Sequence, residues 1–501
     1  MDQKKLGIVL TYLTMAINIV VGIFYSPFLL EKVGDSQYGV YSLSTSLISF
    51  IAILDLGFGD TLVRYISKAR SNNDKKQEYQ LNGFFLKTYT IIAGIALILG
   101  VCVLNIYPLV SKKSLTVEEV ELFKKVFAIL LINLVFSFPM SIFSSTINTY
   151  ERFAFLKATQ LIVNVLKYIC MTLALFLGYK VLTITIITTI AAMSVSITYL
   201  VYCRKKLDIK FSFKKLDPEF SKEIFEFSFF IFLNLVIDFV YNNSDNLVLG
   251  TVAGTTAVTV YTFGVYFKEY FRELSTAISG VFFPSIVSTY EKSKDINALS
   301  DVFNRVGRLQ MALLSLALGG FALFGSDFIN LWIGKQYSQA YYIGLIVMVP
   351  SIIPLTQNIG ISILRAMNLH KYRSYMYLAI AVIHIIISIP LAKAYGGIGV
   401  AISTLIANLL GQILFMSWFY SKRIGLNIKL YYKNLLKFVL LTGTLVLVGF
   451  IIKLFININS WLIFIICAII FSIVYGVCYW MFIADRFEKN LLLDTIKKFK
   501  R

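Results

Sequence analysis

Val33-Gly34-Asp35-Ser36-Gln37-Tyr38-Gly39-Val40-Tyr41-Ser42 has a counterpart 220 residues later, Ala253-Gly254-Thr255-Thr256-Ala257-Val258-Thr259-Val260-Tyr261-Thr262. Glycine, valine–tyrosine and a closing hydroxyl residue match in place. Two further matches run at an offset of 219. Gly178-Tyr179-Lys180-Val181 faces Gly397-Ile398-Gly399-Val400, and Asn148-Thr149-Tyr150-Glu151-Arg152-Phe153 faces Met367-Asn368-Leu369-His370-Lys371-Tyr372. One short match would be noise. Three in nearly one frame argue for an internal duplication.

Outward from these turns the chain is a series of apolar runs. They fall at about 6–30, 39–63, 83–109, 122–148, 155–178 and 181–203, then at 224–250, 256–285, 303–325, 339–366, 374–394 and 398–420, and last at 434–456 and 460–484. Each can cross roughly 30 Å of hydrocarbon as a helix. The runs are too long and too continuously apolar for barrel strands, so helices must satisfy the backbone in lipid. Composition agrees. The mean hydropathy is +0.76, and charged residues are 15% of the chain, where a soluble domain carries about 25%. The expected fold is an all-α integral membrane protein of about fourteen transmembrane helices. Residues 1–203 form one six-helix lobe and 224–421 a second. A basic linker at 204–223 joins them, 422–485 supplies two C-terminal helices, and 486–501 reads as a basic amphipathic tail on the inner membrane face. Six is an even number, so both halves enter the membrane in the same sense. The lobes are then parallel repeats about an axis along the membrane normal, able to rock around a central cavity. Pro139, Pro350 and Pro354 fall within spans, at plausible kinks for such rocking.

The net charge of +20 is unevenly placed. With the N-terminus inside, the inner segments hold 35 Lys and Arg, the outer loops 9, and three (Lys167, Lys268, Arg272) fall inside spans. This bias puts both ends in the cytoplasm. The basic balance is then an insertion signal and a contact with anionic headgroups, not a nucleic-acid surface. The N-terminus runs into an apolar stretch without a small-residue cleavage site and reads as a retained span. The five cysteines form no CxxC pair and have no histidine cluster beside them, so no metal or disulfide framework is indicated.

An ionisable side chain at mid-bilayer costs at least ~2.5 kcal/mol on insertion scales, which makes it a functional candidate. Lys268 and Arg272 share one face of the eighth span, and Glu269 and Glu273 share a neighbouring one. The cations suit an anionic headgroup such as a pyrophosphate; the alternative is that Glu269 simply neutralises Arg272. In the seventh span Asn234, Asp238, Asn242 and Asp245 share a face. Their oxygens suit a sodium ion or a proton relay, or else they partner the cations. Lys167, near the centre of the fifth span, is a third candidate cavity cation. Asp55, Asp60 and Arg64, toward the inner end of the second span, read as an inner-gate ion pair or a substrate contact. His384 reads as a packing residue before a proton carrier. Under the duplication Asp238 maps to Asn18, Lys268 to Ile48, Arg272 to Ala52 and Lys167 to Ile386. The framework is symmetric and its charges are not, which suits an asymmetric ligand.

The span plan, Asp55-Leu56-Gly57-Phe58-Gly59-Asp60, Arg365-Ala366-Met367-Asn368-Leu369-His370-Lys371-Tyr372 and Ala394-Tyr395-Gly396-Gly397-Ile398-Gly399-Val400-Ala401 resemble the Wzx-type polysaccharide flippases of the multidrug/oligosaccharidyl-lipid/polysaccharide exporter superfamily. The resemblance covers nearly the whole chain. It implies a V-shaped pair of lobes, like that of multidrug exporters of the superfamily, around a cationic cavity. It also implies movement of an undecaprenyl-pyrophosphate-linked oligosaccharide from the inner to the outer leaflet, coupled to protons or sodium and without a cofactor. Partners would be the lipid-linked glycan, membrane lipids, and the pathway's polymerase and glycosyltransferases. The place would be the bacterial cytoplasmic membrane. The first span lacks the arginines of lipid II flippases, which disfavours that substrate. A multidrug exporter is the runner-up, and a teichoic-acid precursor is a neighbouring cargo. An embedded polymerase is disfavoured by the short outer loops.

Overall fold

A computed structural model describes residues 3–111, 114–293, 295–367 and 369–490. Their regular elements are all helical. The chain packs into two compact units, Met1–Thr259 and Val260–Arg501.

The first unit holds α1 (Gln3–Val33), α2 (Asp35–Ala52), α3 (Phe58–Ser71), α4 (Lys75–Val110), α5 (Val117–Thr149), α6 (Phe153–Phe176), α7 (Val181–Lys206), α8 (Pro218–Val252) and the first residues of α9 (Thr255–Ser293). The second holds the rest of α9, then α10 (Ile296–Trp332), α11 (Gln339–Thr356), α12 (Ile359–Ala366) and α13 (His370–Ala407). A π-helical stretch (Asn408–Phe415), α14 (Met416–Phe419), α15 (Ile428–Lys453) and α16 (Trp461–Cys478) complete it. Among the described residues eleven segments are long and apolar enough to cross a membrane. One of them, Tyr375–Ile424, is a helical hairpin. At Gly396 the backbone leaves helical geometry (φ 56°, ψ −133°), and Thr404 Oγ1 lies 3.3 Å from Nε2 of buried His384, twenty residues back. A straight helix would put those residues ~30 Å apart. The hairpin therefore contains two crossings, and α8 and α9, at 35 and 39 residues, have the length for two more.

The duplicated turns are built alike. Gly34 (φ 81°) precedes α2, and Gly254 (φ 86°) precedes α9. Both need the left-handed backbone that glycine adopts without strain. The second span is broken after Asp55, where Leu56 and Gly57 are left-handed at φ 52° and 70°, and α3 restarts the helix. A Cβ at Gly57 would stand 2.3 Å from the Ile231 side chain, so α8 passes directly over the break.

Lipid is as apolar as leucine, so these helices are held by close packing and buried polar contacts rather than by exclusion of water. In the first unit Phe58 is fully buried among Phe85, Tyr89 and Phe225, with ring centroids 5.9, 6.2 and 5.5 Å away. The linker after α7 docks on α4. Asn82 Nδ2 donates to the Lys210 carbonyl at 3.2 Å, and Ser212 N–H donates to the Tyr79 carbonyl at 2.8 Å. Near this docking site Tyr150 donates to Glu78 at 2.8 Å. Burial and that carboxylate push the Tyr150 phenol up to about 12, so it stays a donor at physiological pH. At the other end, Glu119 completes a capping box with Thr116 and also accepts from the hydroxyls of Ser36 and Thr255. In the second unit Arg308 on α10 is buried. It donates to both carboxylate oxygens of Glu488 (2.9 and 2.8 Å), to Asn434 on α15 and to the Ile483 carbonyl. Asp485 and Glu488 cap each other reciprocally. The amphipathic tail expected at 486–501 lies, beyond residue 490, outside the described residues.

Candidate functional site

The seventh-span stripe falls on α8. Asp245 is buried, and its neighbour Asn246 donates to Ser46 on α2 at 3.2 Å. The side chains of Asn234, Asp238 and Asn242 lie outside the described residues. On α9, Arg272 forms an ion pair with Glu269 one turn back, so the local pairing is the arrangement present. Lys268 and Glu273 are half-buried on the same helix. In the second span, the Asp55 carboxylate lies beside the backbone of Gly57 and Gly59 and beside Tyr89. Arg64 does not join it. The guanidinium lies 4.0 Å from the Phe227 ring centroid and 5.6 Å from that of Tyr65, and among the described contacts no ion pair links it to Asp55 or Asp60. The expected inner-gate pair is therefore absent from this structure: an aromatic face on α8 competes for the guanidinium, and stacking suits its planar fork.

Lys167 differs from these. It is half-buried on α6, with Nζ 3.4 Å from Asn164 Oδ1 and 4.4 Å from the Tyr168 ring centroid. No carboxylate pairs with it among the described residues. Burial without a counter-charge is costly, and in membrane helices such a group faces the bundle interior or water. Its surroundings suit that. Gln160, Asn164, Lys167 and Tyr168 recur along one face of α6, and Lys157 extends the stripe to within 3.5 Å of Gln160. On α1 Thr14, Asn18 and Tyr25 share one face, and the Tyr25 ring meets that of Tyr168 edge-on at 5.5 Å. Reading the sequence for charge alone finds Lys167 and passes over the uncharged members. Their spacing of three and four was the available signal.

A family model described as "Polysaccharide biosynthesis protein" matches residues 5–290. The chain belongs to this family. The match contains all but the first four residues of the first unit, with Lys167 and its stripe. EpsK, a membrane protein of Bacillus subtilis, is 22% identical over 97% of this chain and 96% of its own length. A Shigella flexneri protein named for O-antigen transport is 22% identical over 81% of this chain and 95% of its own. Among solved structures, the lipid II flippase MurJ in an inward closed conformation superposes with a TM-score of 0.71 at 17% identity, over 96% of this chain and all of its own. An inward-facing multidrug resistance MATE transporter gives 0.65 at 13% identity, over 78% and 91%. The fold of this family member is that of the multidrug/oligosaccharidyl-lipid/polysaccharide exporters, as the sequence motifs implied.

Proposed function

We propose that the protein is a flippase, not an enzyme, which carries a lipid-linked oligosaccharide across the membrane by alternating access for the assembly of a surface polysaccharide. Its cargo is an undecaprenyl-pyrophosphate-linked repeat unit, moved from the inner to the outer leaflet of a bacterial cytoplasmic membrane and driven by sodium or protons. Lys167 carries the reading: it is an ammonium at membrane depth without a carboxylate partner among the described residues. A pyrophosphate would supply the missing counter-charge while the polyprenyl tail stays in lipid. Family membership and the name of the Shigella flexneri relative support a glycan cargo.

The test is a proteoliposome assay with a fluorescent polyprenyl-pyrophosphate oligosaccharide, scoring transfer between leaflets with an impermeant quencher. Transfer that depends on the protein and on an imposed sodium or proton gradient is expected. Extrusion of cationic dyes, with no movement of the glycan lipid, would replace the reading with multidrug export.

A further inference from the structure

The α1–α6 seam holds more polar surface than one cation requires. Asn164 and Gln160 are half-buried, Asn18 is exposed, and all three lie within membrane-spanning segments. Amides at that depth gain nothing from hydrocarbon, and none of the three is sealed inside the contact between the helices. The opposite face of α6 behaves as lipid contact should: Ile162 and Leu166 are 58% and 54% exposed. Two positions along a helix is a rotation of roughly 200°, so Asn164 and these two residues look in opposite directions. The polar face must therefore meet water or a polar ligand. The Tyr25 hydroxyl is buried beside this seam and has no hydrogen-bond partner among the described residues.

We infer that the seam formed by Asn18 and Tyr25 of α1 and Gln160, Asn164 and Tyr168 of α6 is a saccharide-binding track, with Lys167 as its anionic anchor. This rests on the flippase reading and assigns where the sugar goes. Amide side chains offer both donors and acceptors, as sugar hydroxyls demand. Tyrosine adds an apolar ring for the C–H face of a pyranose and a hydroxyl at its edge. A hydrocarbon chain would use none of these groups.

The experiment uses the full chain in proteoliposomes with its five cysteines replaced and single cysteines introduced as Asn164→Cys, Ile162→Cys or Leu166→Cys. A charged, impermeant thiol reagent is expected to modify Asn164→Cys at least tenfold faster than the other two, because reaction needs thiolate and water. Equal rates would overturn the track. A polyprenyl-pyrophosphate disaccharide is expected to slow the Asn164→Cys reaction at least fivefold, and polyprenyl pyrophosphate without sugar, held only at Lys167, to slow it less than twofold. Equal protection by both would overturn the saccharide assignment. Transfer of the same disaccharide lipid by the unmodified protein separates the two readings. If it is moved while the three cysteines react alike, only the track falls. If it is neither moved nor protective, the flippase reading falls and takes the saccharide assignment with it.

Discussion

Lys167 separates binding from stability at a single side chain. Its ammonium is partly desolvated, with one long contact to Asn164 and one aromatic face for compensation. Removing an uncompensated charge from such a place relieves a cost, whereas removing one member of a buried pair creates one. Lys167→Met is therefore expected to leave thermal unfolding in detergent unchanged or slightly raised, and to lower glycan-lipid transfer at least tenfold. A parallel loss of both would mean that the lysine is structural. This residue was legible in the sequence because a lysine in an apolar run stands out from its neighbours. The Arg272–Glu269 pair was legible as an alternative through its spacing of three. The departure of Arg64 toward Phe227 was not, because the competing ring comes from another helix 163 positions further on.

Between elements, carboxylates act as joints. The Thr116–Glu119 capping box is readable as a local pattern, T-x-x-E. The second use of Glu119 is not, since it depends on the starts of α2 and α9 arriving at the same place. Its carboxylate serves both starts, through Ser36 and Thr255, and Thr259 adds a bond to the Asp35 carbonyl at 2.7 Å. Losing the box costs about 1 kcal/mol on its own, and each stranded hydroxyl adds to that. Glu119→Ala is thus expected to speed hydrogen exchange at the amides of 255–259 at least tenfold, and Glu119→Gln, which keeps one acceptor oxygen, by less. Unchanged exchange would show that packing alone holds the turn. Nothing local in the sequence reveals that Arg308 meets Glu488, 180 residues on. Breaking a buried pair of this kind costs about 3–5 kcal/mol, while replacing both partners by apolar groups can be neutral. Glu488→Ala should lower the unfolding temperature by several degrees, and Arg308→Met with Glu488→Leu should recover most of it.

For the molecule as a whole, the structure sorts the connections of each unit into two ends, and the charges follow that sorting. In the first unit the linker after α7 docks beside the start of α4, and Tyr150, after α5, reaches Glu78 there. These segments carry Lys75, Lys76, Arg152, Lys206, Lys210 and Lys214. The opposite end gathers the Gly34 and Gly254 turns around Glu119. In the second unit Asn427, Ile483 and Glu488 meet the start of α10, with Arg305 and Arg308. At the far end of α10 Lys453 pairs with Asp327. The all-helical, membrane-crossing build was legible from sequence because helices crossing lipid must be long and apolar. Which ends cluster was legible only through the positive charges, since insertion retains Lys and Arg loops on the cytoplasmic side. A fluorescent protein fused after Arg501 should therefore fold and fluoresce, as should one placed in the linker at 207–216. A periplasm-dependent phosphatase should be active at the Gly178–Lys180 turn and inactive in the linker. The reverse pattern would invert the proposed direction of transfer, because the end that receives cargo from the inner leaflet would then be the one organised by Glu119 rather than the basic one.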